Sequence, residues 1–174
     1  FIDHIKELKL KKINLVIICS PPADHLKDLL ICQKFLIKDP YYLIEKPLSN
    51  DFLKLKKFLK YKIINTSNIF VGYQIQYSGA YLKISDMIKK IPSKKILYIE
   101  SLCESYLPNW RINRTFKYGN SLHPKNGGVL LELSHEINYL ISLFGIPKKV
   151  YATKQGNKLF KSKVDENISA ILIF

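Results

Sequence analysis

The sequence predicts an α/β fold in which part of a doubly wound parallel sheet precedes an α+β domain with a largely antiparallel sheet. Three observations predict it. Short apolar runs at 14–19, 41–44 and 69–77 alternate with amphipathic stretches at 23–35 and 51–61, the pattern of right-handed β-α-β units. Past residue 78 the pattern changes to a long alternating segment, a polar loop, one long helix and two further strands. Nearly half of the 174 residues are apolar (47%) against 24% charged, so the chain can bury a core and is not intrinsically disordered.

Each element has its own signal. Ile2, Ile5, Leu8 and Leu10 give 2–10 a helical spacing. The run at 14–19 is closed by Ser20-Pro21-Pro22, as expected of a buried parallel strand. Leu26, Leu29, Leu30 and Phe35 set the inner face of a helix over 23–35. A second buried strand at 41–44 ends in Glu45-Lys46-Pro47. The helix at 51–61 then takes Ser49 or Asn50 as its N-cap and turns Leu55, Phe58 and Leu59 inward. The third strand spans 69–77, and a linking helix covers 81–90. Residues 96–106 alternate as a long strand with one wet face, and 107–126 form a loop rich in Asn, Arg, Gly and Pro. Gly127-Gly128 opens a helix running to about Phe144, stopped by Gly145 and Pro147, and strands follow at 150–154 and 167–174. The boundary near 78 gives two partial domains, 1–78 and 79–174. The chain opens on Phe1 within a helical pattern and closes within an apolar run, so it reads as a fragment of a longer protein.

The formal charge of +14 invites a polyanionic partner. Of the 28 basic residues, however, only Arg111 and Arg114 are arginine, and the lysines are spread over almost every segment. A solvated surface is therefore expected, with no specific nucleic-acid site. No apolar run is long enough to span a membrane, and there is no signal peptide. The three cysteines form no C-x-x-C, which fits a reduced, cytoplasmic protein without a disulfide framework or zinc site.

Chemistry could sit in three places. Ser20-Pro21-Pro22 with His25 forms a backbone-exposing loop before a helix N-terminus, suited to a cofactor, or else an ordinary strand-to-helix turn. Glu45-Lys46-Pro47 sets a lysine at the end of a buried strand, where desolvation would favour its neutral amine; a solvated Glu-Lys pair is the plainer reading. Glu132, His135, Glu136 and Tyr139 share one helix face, where a histidine between acids can act as a general base, or the face is simply exposed. Glu132 and His135 also have the spacing of a di-iron carboxylate motif. That motif needs a second copy, which the sequence lacks, so no metal is expected.

Taken in order, these residues carry a resemblance. Ile17-Ile18-Cys19-Ser20-Pro21-Pro22-x-x-His25, Glu45-Lys46-Pro47-Leu48-Ser49, Val71-Gly72-Tyr73-Gln74, Trp110-Arg111 and Gly127-Gly128-Val129-Leu130-Leu131-Glu132-Leu133-Ser134-His135-Glu136-Ile137-Asn138-Tyr139-Leu140 resemble the Gfo/Idh/MocA oxidoreductases, the glucose-fructose oxidoreductase and inositol dehydrogenase family. The resemblance implies a Rossmann domain for NAD or NADP and a second domain with an open-faced sheet. It implies hydride transfer between nicotinamide and a hydroxyl-bearing carbon of a sugar or sugar nucleotide. Lys46 would bond the reacting hydroxyl and the nicotinamide ribose, His135 would accept the proton, and Glu132 would orient substrate or His135. Ser20, Pro21, Pro22 and His25 would line the cofactor, as would Glu45, Lys46, Pro47, Tyr73 and Gln74. Lys46, Trp110, Arg111, Glu132, His135, Asn138 and Tyr139 would face the substrate. A homo-oligomer formed through the open-faced sheet is also implied. Redox-neutral isomerases, epimerases or glycosidases of the same fold, and non-catalytic sensing or scaffold relatives, are the alternatives.

Three departures stand out. Asn138 occupies a position where many relatives have aspartate, and Gln76 falls about where arginine is common. The seven glycines never take the G-x-G-x-x-G spacing, so the pyrophosphate-binding turn is expected before Phe1. In an NADH titration the longer protein should then bind the dinucleotide, whereas the 174-residue chain alone should bind it poorly; tight binding by the chain alone would overturn this.

Overall fold

The computed structural model describes residues 12–36, 40–60, 65–110, 116, 119–156 and 158–174. The helix expected at 2–10 and the site residue Arg111 lie outside the described residues. The chain divides into two compact units, Phe1–Gly72 and Tyr73–Phe174.

In the first unit, β1 (Leu15–Ile18), β2 (Tyr41–Ile44) and β3 (Ile69–Val71) form a parallel sheet in that order. The connections run through α1 (His25–Phe35) and α2 (Phe52–Phe58), as parallel neighbours require. Ile18 lies opposite Ile44, and Ile44 opposite Val71. The ladder continues one bond past the strands: Glu45 N–H donates to the Ile18 carbonyl at 2.9 Å, and Gly72 N–H to that of Ile44 at 2.7 Å.

One face of this sheet makes the core. Ile18, Tyr42 and Ile44 pack with Leu26, Leu29 and Cys32 of α1 and Phe58 of α2. Leu29, Tyr42 and Ile44 are wholly buried, which for the aliphatic Leu29 and Ile44 is worth about 1.5–3 kcal/mol each relative to exposure. No described helix of this unit packs on the opposite face. Leu15, Ile17, Tyr41, Leu43 and Phe70 are exposed there, with the Tyr41 and Phe70 rings 6.2 Å apart. The apolar runs predicted strands buried on both sides, but both described helices lie on one side, so each strand is only half covered.

The cap of α2 differs from expectation. Asp51 has extended backbone (φ −137°, ψ 111°), and its Oδ1 accepts from the amides of Leu53 at 2.9 Å and Lys54 at 3.0 Å. Ser49 is instead turned onto the Asp51 backbone, with both contacts at 3.1 Å. The third strand is also shorter than the sequence predicts, ending at Val71. A 3-10 turn at Gln74–Tyr77 replaces its second half and leads into α3 (Gly79–Lys89), capped by Ser78, whose hydroxyl accepts from Tyr81 N–H at 3.2 Å.

The second unit holds α3, α4 (Val129–Glu132), α5 (His135–Phe144), β4 (Lys149–Gly156) and β5 (Asp165–Ile173). The expected helix through 127–144 is broken at Leu133 (φ −108°, ψ 34°), beside a Ser134 hydroxyl that bonds back to the Leu131 carbonyl at 3.4 Å. β4 and β5 pair antiparallel, each slightly longer than expected. Their connection is gathered by Glu166, whose carboxylate accepts from the successive amides of Lys158, Leu159 and Phe160 at 3.1, 2.8 and 2.9 Å. The strand expected at 96–106 does not form: an alternating run becomes a strand only with a ladder partner, and among the described residues this one has none. Its Leu97 and Tyr98 are 93% and 79% exposed. Among the described residues no helix is long and apolar enough to cross a membrane.

The Gly127-Gly128 pair is a packing requirement. A Cβ on Gly127 would lie 2.1 Å from the Ser121 carbonyl oxygen, while Gly128 has φ +100° and would meet Asp165 Oδ1 at 2.8 Å. Gly127→Ala is therefore expected to cost about 3 kcal/mol or more in urea unfolding. Gly79→Ala, with open space around it, should be neutral or stabilising by up to about 1 kcal/mol; equal effects from the two would contradict this packing. Removing the α2 cap with Asp51→Ala should cost about 1 kcal/mol in the same measurement.

Candidate active site

The first unit gathers its candidate residues along one sheet edge. Because β1 and β2 are adjacent and parallel, the Ser20-Pro21-Pro22 loop and Lys46 both follow carboxyl ends of neighbouring strands. Open α/β sheets bind ligands at that edge. The Pro21 carbonyl accepts from Asp24 N–H at 2.8 Å, closing the turn into α1. Lys46 is half-buried and joined to Pro47 by a cis peptide bond, while Glu45 is exposed.

His25, the first residue of α1, is wholly buried. Its Nε2 lies 2.6 Å from the Ser20 carbonyl oxygen and its Nδ1 2.9 Å from that of Pro47. Carbonyl oxygens only accept, so the neutral ring donates to one of them and the doubly protonated ring to both. The Ser20 hydroxyl beside it is buried and has no hydrogen-bond partner among the described residues.

The second unit assembles a polar row on and around α4 and α5. The Ser121 hydroxyl donates to Glu132 Oε1 at 2.8 Å. Tyr73 sets its ring edge-on to His135, with centroids 5.6 Å apart at 89°, and its hydroxyl lies 3.4 Å from Ser134 Oγ. Gln76 Nε2 donates to Asn138 Oδ1 at 2.5 Å, and the hydroxyls of Ser101 and Tyr139 are bonded. His135, Glu136, Asn138 and Tyr139 are half-buried, so this helix face is not a solvent-facing one. At the other end of α4, Asp165 Oδ2 accepts from Leu130 N–H at 2.8 Å, which ties the helix to β5.

Two thiols are perturbed. Burial pushes Cys32 up, with Asp28 adding to the effect. Cys103 is likewise pushed up, first by desolvation and then by the charge and hydrogen bond of Glu136.

The structure thus brings together Ser20, Pro21, Pro22, His25, Lys46 and Pro47 in the first unit. In the second it sets Tyr73 against His135, while Glu132, Asn138 and Tyr139 each bond a different partner. The break at Leu133 puts Glu132 on a separate helix from His135, Asn138 and Tyr139. Gln74 is exposed, and so is Trp110, whose indole N–H bonds Ser105 Oγ. Ser121, Ser101 and Asp165 escaped the sequence reading, because a long-range partner for a loop serine or a strand aspartate leaves no local signal. Gln76 was visible only as a departure from arginine, and its bond to Asn138 pairs the two departures with each other. Among the described residues no group of His, Cys, Asp and Glu could hold a metal ion.

No protein-family model matches the sequence, and no curated protein matches it in sequence. Solved structures do match. An oxidoreductase from Bacillus cereus is 22% identical with a TM-score of 0.70, over 100% of this chain and 47% of that one. An NAD-binding protein from Listeria innocua is 16% identical with a TM-score of 0.66, over 97% and 46%. A candidate myo-inositol dehydrogenase from Sinorhizobium meliloti 1021 is 17% identical with a TM-score of 0.65, over 97% and 49%. The chain has the fold of Gfo/Idh/MocA-like oxidoreductases. It spans about half the length of the structures with this Gfo/Idh/MocA-like fold.

The Cys103–Glu136 contact is open to direct test. Glu136→Gln removes a charge that holds the thiol protonated, so Cys103 alkylation by iodoacetamide at pH 8 should quicken, and an unchanged rate would exclude the contact.

Proposed function

We propose that this chain belongs to an NAD(P)-dependent oxidoreductase acting on a CH–OH group of a sugar or sugar nucleotide. The observation that carries the reading is the sheet edge at which the Ser20-Pro21-Pro22 loop and Lys46 follow adjacent strand ends. The shared fold supports it, since the similar structures include an NAD-binding protein and a candidate myo-inositol dehydrogenase.

The residues present fit a nicotinamide dinucleotide along this edge. The buried Ser20 hydroxyl has no hydrogen-bond partner among the described residues, and a ligand's polar group would supply one. Ser20, Pro21, Pro22 and Pro47 would line the group, with Lys46 bonding its ribose. When bound, the dinucleotide supplies hydride transfer. Lys46 holds and polarises the substrate hydroxyl through its amine hydrogens. His135 takes the hydroxyl proton, its ring plane fixed by the edge-on Tyr73. Glu132, held by Ser121, orients substrate or imidazole without itself moving a proton. Asn138, bonded to Gln76, offers the substrate a neutral amide where many family members would present a carboxylate. The exposed apolar Tyr151, Ile171 and Ile173, which share one face of β4 and β5, support a homo-oligomer formed through this sheet.

The test is turnover of a panel of sugars, inositols and sugar nucleotides with NAD and NADP, using the protein expressed from its whole gene. Net NADH or NADPH formation is expected, and turnover without it would mark a redox-neutral enzyme instead. Lys46→Ala and His135→Ala should each lower kcat about 10²–10⁴-fold while the protein stays folded. Undiminished turnover in Lys46→Ala would sink the catalytic assignment.

A further inference from the structure

Resting on the assignment of Lys46 to the substrate hydroxyl, we infer that His25 is a positioning residue that fixes the backbone beneath Lys46. The backbone ladder between β1 and β2 ends where Glu45 N–H meets the Ile18 carbonyl at 2.9 Å. Beyond that bond the two chains diverge into loops. The imidazole of His25 spans them, from the Ser20 carbonyl at 2.6 Å to the Pro47 carbonyl at 2.9 Å. Lys46 therefore sits between two neighbours that are pinned when Nδ1 carries a proton: Glu45 by the last ladder bond and Pro47 by the histidine.

The bridge is built from long-range contacts, Pro47 lying 22 residues from His25. It is rigid because the ring is wholly buried at the start of α1, beside Leu26 and Leu29 of the core. Both ring nitrogens face the protein's own backbone, so the role inferred is positioning rather than cofactor contact. A buried imidazole donates to one of the two carbonyls when neutral and to both when doubly protonated; an apolar replacement removes that donor, and the loop left unsatisfied must then move toward water. Lys46 moves with it. Displacement by even about 1 Å is enough to depress a reaction that depends on alignment.

The experiment follows Lys46 directly. Lysines are reductively methylated with ¹³C-formaldehyde, and the Lys46 resonance is assigned by its loss in Lys46→Arg. In His25→Leu the Lys46 resonance should shift toward the envelope of exposed lysines, while those of Lys54 and Lys56 stay in place. His25→Gln retains size and a donor, and should fall between the two. An unmoved Lys46 resonance in a folded His25→Leu protein, or in His25→Gln if the leucine variant does not fold, overturns the inference. In the unaltered protein a His25 ring N–H should be protected from solvent exchange, and exchange at the rate of free imidazole overturns it as well. In the turnover assay His25→Gln should lower kcat about tenfold, with the dinucleotide KM changed less than about twofold. Failure of the Lys46 assignment would show as undiminished turnover in Lys46→Ala, with the resonance result still standing on its own.

Discussion

The parallel pairing of β1 with β2 is the constraint on which the first unit depends. Parallel neighbours cannot be joined by a hairpin, so α1 must cross between them, and its crossing sets the Ser20-Pro21-Pro22 turn and His25 beside the end of β2. Register decides the rest. With Ile18 opposite Ile44, the buried side chains fall on one face and the next peptide bond of each strand falls at the same edge. A slip of one residue would turn Tyr42 and Ile44 outward and carry Lys46 away from the loop it adjoins.

The second unit solves a comparable problem by close approach of backbone. Ser121 takes part at both ends of α4, accepting from Gly128 N–H through its carbonyl at 3.0 Å and donating through its hydroxyl to Glu132 at 2.8 Å. The two glycines make room for this, and Asp165 secures the same short helix from β5. A helix of four residues has little stability of its own, so these long-range contacts determine its position.

Much of this was legible in the sequence, and the misses share a cause. Apolar runs bounded by Pro and Gly located β1, β2, α1 and the end of α5 to within a residue or two, because each carries a local signal. The cap of α2 was misplaced by one or two positions, since Ser49, Asn50 and Asp51 are all competent caps and only the fold decides which backbone is extended. The strand expected at 96–106 failed because alternation describes a face, not a partner. The helix break at Leu133 likewise has no composition signal. Among the candidate residues of the two units, Lys46, His135 and Glu132 stood out by residue type and order, whereas Ser121, Ser101 and Asp165 matter only through contacts that sequence spacing does not reveal.

The exposed side of the first sheet has a consequence for how copies of this chain behave toward one another. Leu15, Ile17, Tyr41, Leu43 and Phe70 offer one another a sticky surface, and apolar contact is nearly indifferent to salt. The formal charge of +14 opposes that contact, and does so through a repulsion that fades beyond about 8 Å at physiological ionic strength. The lysines scattered over the surface thus set a colloidal balance. In dilute salt the charges keep copies apart, and with rising ionic strength the exposed sheet face increasingly governs whether they stay in solution.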